Sequence, residues 1–219
     1  MTVSNDYIKE IMHELHRVPE LGFDLPKTLA IVKRELDEIG ISYTDQYGKS
    51  SLVAELNPQK KDFTIAIRAD MDALAITETS GVPYASEIPG HMHACGHDAH
   101  TAIALATLKE LNAMRDSIGC RVKFIFQPAE EYAPSGAKLM AEDGVMDDID
   151  VIVALHVEPT LNSGTVGYIS GPRNATSDGF TLTFRGKSAH VAEQQYGRDA
   201  IMMAVRAYTD IEFIIAKEV

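Results

Sequence analysis

The sequence has no long apolar run, and it has fewer basic than acidic side chains. No stretch approaches the roughly 18 consecutive apolar residues that a membrane-spanning helix needs, and the first residues do not follow the basic and then apolar pattern of a signal peptide. The 32 acidic and 20 basic residues give a formal net charge of -12, which would repel a nucleic acid backbone or an anionic membrane. These absences predict a cytoplasmic protein with neither nucleic acid nor membrane as partner.

Cysteine is also scarce, with Cys95 and Cys120 the only two in 219 residues. A chain that matures where thiols stay reduced is not expected to join them in a disulfide. Both are therefore predicted to be free thiols or metal ligands. The sequence has no internal repeat and no low-complexity tract, and its 45% of hydrophobic residues suffices for a substantial core.

Helical and strand patterns alternate along the first 155 residues. Apolar residues at helical spacing cover about residues 5–17, 27–39, 98–113 and 134–143. Apolar, β-branched runs cover residues 51–56, 63–68, 121–126 and 151–155. This alternation predicts an α/β fold whose sheet is mostly parallel.

The pattern changes after Gly164. Two strand-like segments at 164–169 and 179–184 precede a long apolar helix that starts near Asp199. The polar segment 170–174 between them, Ser-Gly-Pro-Arg-Asn, is typical of a linker. The sequence therefore predicts one domain over residues 1–172 and the beginning of another over residues 173–219.

Residues 91–100 are unusually rich in metal-binding side chains. Four of the eight histidines and one of the two cysteines lie within these ten residues, which is the composition of a transition-metal site. Gly96 allows a sharp turn, so that Cys95 and His97 can face one ion. Solvated histidines on a loop are the alternative, but the density of the cluster favours metal binding.

Polar side chains also follow the predicted strands. Glu130 and Glu131 come just after one strand, Asp70 follows another, and His156 ends a third. A Glu-Glu pair alone is usually solvated, and a lone histidine is more often a core or surface residue. Because the carboxyl ends of parallel strands meet at one edge of a sheet, these side chains are instead expected to converge on the histidine cluster. One glutamate could then bind metal while the other takes a proton from water.

Six motifs carry a resemblance to a known family. They are Leu15–Gly22, Arg68–Leu74, Met92–His100, Phe126–Glu131, Ala154–His156 and Gly186–His190. In order and spacing they resemble the metal-dependent amidohydrolases and peptidases that include aminoacylases, hippurate hydrolase, indoleacetyl-amino acid hydrolases and N-acetyldiaminopimelate deacetylase. The resemblance implies a three-layer α/β sandwich like that of dinuclear zinc peptidases over residues 1–172. It also implies that residues 173–219 are the first part of a smaller α+β lid and dimerisation domain.

Carried over residue by residue, the resemblance implies a role for each candidate. Two divalent ions, zinc or manganese with cobalt or nickel as further options, would be bound by Cys95, His97, Glu131 and His156. Glu130 would act as general base and acid, and Asp70 would orient the site. In a homodimer His190 would reach a partner subunit's site to stabilise the oxyanion, although residues 191–195 lack the proline usual in the family and His190 could simply be exposed.

The implied activity is hydrolysis of the amide bond of a small N-acyl amino acid or a short peptide. In the family a further histidine near the C-terminus completes the ligand set, and this sequence has none after His190. The chain is therefore either a fragment of a longer enzyme or a short product with an incomplete site, and residues 1–219 alone are predicted to be poorly active. Three alternatives stay open: a dipeptidase or carboxypeptidase of the same family, a thiol hydrolase with Cys95 as nucleophile, and a metal-binding remnant without activity.

Overall fold

The computed structural model describes residues 3–172 and 179–218. The helices are α1 (Asn5–Arg17), α2 (Pro26–Ile39), α3 (His97–Ala113), α4 (Gly136–Glu142) and α5 (Ala200–Glu218). The strands are β1 (Tyr43–Thr44), β2 (Leu52–Leu56), β3 (Thr64–Asp70), β4 (Arg121–Gln127) and β5 (Val151–Ala154). Two short 3-10 helices cover Arg115–Ser117 and Val191–Tyr196. The predicted helices and the four predicted strands of the first 155 residues are confirmed to within a few residues.

The helices begin and end where the sequence provides caps. The Ser4 hydroxyl accepts the Tyr7 N–H at 3.1 Å at the start of α1. Helix α2 starts with Pro26, which lacks the N–H that a first helical residue leaves unpaired. It ends at Gly40, whose φ of 78° is in the left-handed region and whose N–H donates to the Leu36 carbonyl.

The five strands form one sheet in the order β1-β2-β4-β3-β5. Strands β4, β3 and β5 are parallel, whereas β1 and β2 add an antiparallel edge. Asp70 pairs in register with Gln127, so β3 and β4 end together. The sheet is parallel in its core, as predicted, and the polar residues that follow these strands leave it at the same edge.

Helices cover both faces of the sheet. The larger core lies between the sheet and α1, α2 and α3, and its buried side chains include Leu15, Leu36, Leu105 and Phe124. On the other face, Met140 of α4 packs near Val53, Ala66 and Ile125. This is the expected three-layer sandwich, and β4 is buried along its whole length at the centre.

The chain divides into two compact units, one that runs to Ser163 and one that begins at Gly164. The boundary predicted near residue 173 falls within residues 173–178, which lie outside the described part of the chain. In the second unit, Asp199 accepts the N–H groups of Ile201 and Met202 at 2.9 and 3.0 Å and caps the predicted helix α5. Among the described residues, no helix is both long and apolar enough to cross a membrane.

The predicted strands at 164–169 and 179–184 are wrong. Within the described parts of the chain neither segment forms a hydrogen-bonded ladder. Here Tyr168 and Phe180 stay exposed instead of packing on a common face.

Candidate metal centre

The sheet edge brings six of the seven predicted site residues together around His97. Three groups of potential metal donors share this histidine: Cys95 with His156, Glu130 with Glu131, and Asp70 with His100. Within each group the donor atoms lie within 4.8 Å of one another. The seventh, His190, lies in the second unit, where its Nδ1 accepts the Ala192 N–H at 3.2 Å.

His97 is fixed on one side and open on the other. Its Nδ1 donates to the Asp72 carbonyl at 2.8 Å, so the ring orientation is set by backbone. Its Nε2 is buried and has no hydrogen-bond partner among the residues that the structure describes. That atom faces three carboxylates, at 3.6 Å from Asp70, 3.9 Å from Glu130 and 3.8 Å from Glu131.

The electrostatics at His97 favour a positive charge. Burial lowers the pKa of His97, but hydrogen bonding to Asp72 and the charges of Asp70 and Asp72 raise it above its ordinary value overall. Carboxylates held this close would otherwise repel one another. A divalent cation would satisfy both the free Nε2 and the surrounding carboxylates more fully than one proton does.

The Glu130–Glu131 loop is held by its backbone. The Asp72 carboxylate accepts the N–H of Glu130 at 2.9 Å and that of Glu131 at 3.2 Å. Ala129 donates its N–H to the Gly22 carbonyl at 3.1 Å. The Glu131 side chain is 22% exposed and that of Glu130 is 41% exposed, so Glu131 lies deeper while Glu130 stays accessible to solvent.

Cys95 and His156 form the opposite side of the site. The Cys95 Sγ lies 3.3 Å from the His156 Nε2. Since the His156 Nδ1 donates to the Val157 carbonyl at 2.7 Å, the Nε2 keeps its lone pair on the side of the thiol. Burial, followed by the hydrogen bond and charge of Glu131, raises the pKa of Cys95 to about 12. Without a cation the thiol is neutral.

Asp70 is buried and ionised. Burial alone would raise its pKa, but the hydrogen bond from His100 and the charges of His97 and Arg68 lower it to about 2. The Arg68 Nη1 donates to Asp70 Oδ2 at 2.6 Å, and the Arg68 Nε donates to Gln127 at 2.8 Å. The carboxylate therefore adds a fixed negative charge beside His97.

The donor set fits a divalent transition metal. Thiol sulfur, imidazole nitrogen and carboxylate oxygen are the ligand types of zinc and related ions. The buried and unpartnered Nε2 of His97 is the observation that tests this fit, because a buried polar atom is normally hydrogen-bonded. Cys95, His97, Glu131 and His156 could all donate to ions here.

Sequence reasoning missed Asp72 and His100 as residues of the site. Both stand in motifs already noted, and spacing gave a signal for each. Asp72 follows Asp70 by two residues, which places them on one side of an extended chain, and His100 follows His97 by three, which places them on one helix face.

The side chains of the motif Leu15–Gly22 form hydrogen bonds with the elements around the site. The His16 Nδ1 lies 2.6 Å from Asp98, next to His97, and its Nε2 lies 3.2 Å from Glu78. Glu20 accepts the N–H groups of Lys27 and Thr28 at the start of α2. These contacts tie helices α1, α2 and α3 together beneath the metal donors.

Comparison with known proteins identifies the family. The sequence matches the profile of Peptidase family M20/M25/M40 over residues 66–219. The chain belongs to this family. The resemblance stated from the motifs is thereby confirmed, and the fold and family are those of metal-dependent hydrolases.

Curated relatives match nearly the whole chain. It is 40% identical to the N-acyl-L-amino acid amidohydrolase of Geobacillus stearothermophilus, over 99% of the chain and 58% of the relative. It is 40% identical to the N-acetyl-L-cysteine deacetylase of Bacillus subtilis (strain 168), over 95% of the chain and 50% of the relative. The chain thus spans about half the length of these relatives.

Solved structures agree with this M20 assignment. The Bacillus subtilis YXEP protein, described as a dinuclear metal binding peptidase from the M20 family, superposes with a TM-score of 0.72 at 40% identity, over 75% of this chain and 46% of that one. An aminohydrolase-like protein from methicillin resistant Staphylococcus aureus superposes with a TM-score of 0.81 at 34% identity, over 98% of this chain and 57% of that one.

Proposed function

We propose that this chain is the catalytic part of a metal-dependent amidohydrolase that cleaves the amide bond of a small N-acyl amino acid. The free Nε2 of His97 among three carboxylates carries the proposal, because it makes a cation-binding site at the sheet edge. Relatives named as amidohydrolases and deacetylases support the reaction class.

Cys95, His97, Glu131 and His156 would hold two divalent ions, zinc or manganese, with cobalt or nickel also compatible with these ligand types. When bound, such ions lower the pKa of a water and polarise an amide carbonyl. The protein's own residues prepare for this. Asp72 aligns the backbone of the Glu130–Glu131 loop, and His156 presents its Nε2 on the side of Cys95.

Glu130 would act as general base and then as general acid. Its carboxylate reaches within 3.9 Å of the His97 Nε2 while remaining partly exposed. From there it would take a proton from the attacking water and return it to the leaving amine. Asp70 would stay ionised throughout and help to orient the site, since its pKa lies well below neutral.

Peptides are the second candidate substrates. One relative, 35% identical over 98% of the chain and 55% of its own length, is named thermostable carboxypeptidase 2 of Saccharolobus solfataricus. A dipeptidase or carboxypeptidase would use the same centre and differ in what recognises the acyl side.

A homodimer in which His190 stabilises the oxyanion is proposed for the whole protein, and its cytoplasmic location remains a prediction.

A thiol hydrolase is a weaker explanation of the site. A nucleophilic cysteine needs a lowered pKa, whereas the pKa of Cys95 is raised to about 12 by burial and by Glu131. The neighbouring carboxylates oppose a free thiolate and favour a cation. Cys95 is therefore better suited to bind a metal than to attack a carbonyl.

The test compares hydrolysis of a panel of N-acyl amino acids and dipeptides by the full-length protein and its Glu130→Gln variant, with and without a chelator. We expect chelator-sensitive hydrolysis whose kcat falls by about 100-fold or more in Glu130→Gln. Glu142→Gln, on the exposed face of α4 beside Lys138, is the matched control and should keep full activity. Hydrolysis that survives both the chelator and Glu130→Gln would refute the proposal, and metal binding without turnover would favour a non-catalytic remnant.

A further inference from the structure

His100 lies in the first turn of α3, three residues after His97. Its side chain is 1% exposed. The His100 ring centroid lies 4.6 Å from that of His156 and 5.4 Å from that of His97. By position alone it could be taken for a further metal ligand, because potential donor atoms of His100, Asp70 and His97 lie within 4.8 Å of one another.

The hydrogen bonds of His100 occupy both ring nitrogens. The Val157 N–H donates to the His100 Nε2 at 2.9 Å. Since a backbone N–H can only donate, this nitrogen is the acceptor, and the ring proton is on Nδ1. The Nδ1 donates that proton to Asp70 Oδ1 at 2.6 Å, which leaves no lone pair on the ring for a metal.

The hydrogen bond that the His100 Nε2 accepts helps to hold the His156 ring in place through Val157. The Val157 N–H is held by His100, while the Val157 carbonyl accepts from the His156 Nδ1 at 2.7 Å. This second bond sets the His156 ring with its Nε2 3.3 Å from the Cys95 Sγ. A shift of the Val157 backbone would therefore change the orientation of the His156 ring relative to Cys95.

The hydrogen bond that the His100 Nδ1 donates helps to hold the Asp70 carboxylate in place. His100 takes Oδ1 of this carboxylate and Arg68 takes Oδ2. The same Oδ2 lies 3.6 Å from the free Nε2 of His97. The plane of the carboxylate is thus fixed by His100 and Arg68 together, with one edge toward His97.

We propose that His100 is a positioning residue that fixes Asp70 on one side and the Val157–His156 segment on the other, and that it does not ligate metal. The inference rests on the proposed metal site and adds a residue to which no role had been assigned. Partners that orient ligands commonly change metal affinity by about 10- to 100-fold when they are lost.

Two amide variants separate the two bonds. In His100→Asn the amide can replace the Nδ1 donor to Asp70, and in His100→Gln it can replace the Nε2 acceptor of the Val157 N–H. We expect Zn²⁺ affinity of the full-length protein, measured by competition with a chromophoric chelator, to fall by about 10-fold in each variant. It should fall by up to about 100-fold in His100→Ala, with the number of bound ions unchanged.

Thr107→Ala is the control, because Thr107 lies on the same helix and its hydroxyl donates only to the Ile103 carbonyl. The thermal midpoint of the metal-free variants shows whether folding is affected separately from affinity. Loss of one bound ion in His100→Ala would show that His100 is a ligand and overturn the inference, and unchanged affinity in all three His100 variants would also overturn it. Absence of Zn²⁺ binding by the wild type would instead refute the proposed metal site itself, and the inference with it.

Discussion

At the scale of single residues, His97 joins every part of the site. Its Nδ1 is fixed by the Asp72 carbonyl, and its Nε2 faces Asp70, Glu130 and Glu131. Because the Asp72 carboxylate also holds the backbone of both glutamates, one buried residue sets the positions of a nitrogen donor and two oxygen donors. The sequence predicted which residues are candidate donors, but the contacts of Asp72 and His100 depend on distances between segments far apart in the chain.

Gly96 should be intolerant of a side chain. Its φ of 83° is left-handed, and an added Cβ would overlap with Cγ2 of Val157. Gly40 has a similar φ of 78° but open space around it. We expect Gly40→Ala to cost about 1 to 2 kcal/mol of unfolding free energy from backbone strain, and Gly96→Ala to cost more and to weaken metal binding too.

Urea unfolding of the metal-free protein and Zn²⁺ competition measure the two effects. The comparison isolates the contact with Val157, because both glycines share the backbone conformation. Equal losses of stability in the two variants, with metal affinity unchanged, would contradict the described packing of Val157 on Gly96.

His16 should make stability depend on pH. The hydrogen bond with Asp98 raises the pKa of His16, burial opposes the rise, and Glu78 adds to it; the rings of Tyr84 and His93 lie beside it. Because the pKa of His16 is raised in the folded state, the protonated ring contributes its full stabilisation at pH values below its unfolded-state pKa of about 6.5. This stabilisation is lost as the pH rises through the folded-state pKa of His16.

The expected result is a difference in unfolding free energy between wild type and His16→Gln that is largest below pH about 6.5 and shrinks at higher pH. Urea titrations of the metal-free protein across a pH series measure it. A difference that grows with rising pH would show that His16 is stabilised in its neutral form, contrary to its position between two carboxylates.

At the scale of elements, the spacing of apolar residues predicted the helices and strands whose formation depends on local sequence. Helices α1 to α3 and strands β2 to β5 have helical periodicity or apolar runs, and they were predicted close to their observed bounds. The two-residue strand β1 is too short to give such a signal. The segments 164–169 and 179–184 have strand-like composition, but composition alone does not determine backbone conformation, and large apolar side chains such as Tyr168 and Phe180 stay exposed there.

The start of α2 offers a test at this scale. Leu25, at the N-cap, makes no side-chain hydrogen bond, and Glu20 instead accepts the N–H groups of Lys27 and Thr28. We expect Glu20→Ala to lower the unfolding free energy by about 1 to 2 kcal/mol, as loss of a cap does. Glu10→Ala, an exposed position on α1, is the control, and equal small effects of both substitutions in urea unfolding would rule out the capping role.

At the scale of the whole molecule, the chain consists of two units that differ in how far their apolar side chains are buried. The first holds the sheet, both helix layers and all the donors around His97. The second holds α5 and His190, and many of its apolar side chains are exposed. The alternation of helical and strand patterns predicted an α/β fold for the first unit, whereas the second unit's role in dimerisation remains a proposal.

The central claim is that the His97 cluster binds divalent metal, and elemental analysis of the dialysed full-length protein tests it most directly. We expect bound zinc, manganese or a related ion in the wild type and in Glu130→Gln, and less of it in His97→Ala that still folds by circular dichroism. Absence of bound metal from the wild type after supplementation with these ions, or full metal content in His97→Ala, would contradict the account.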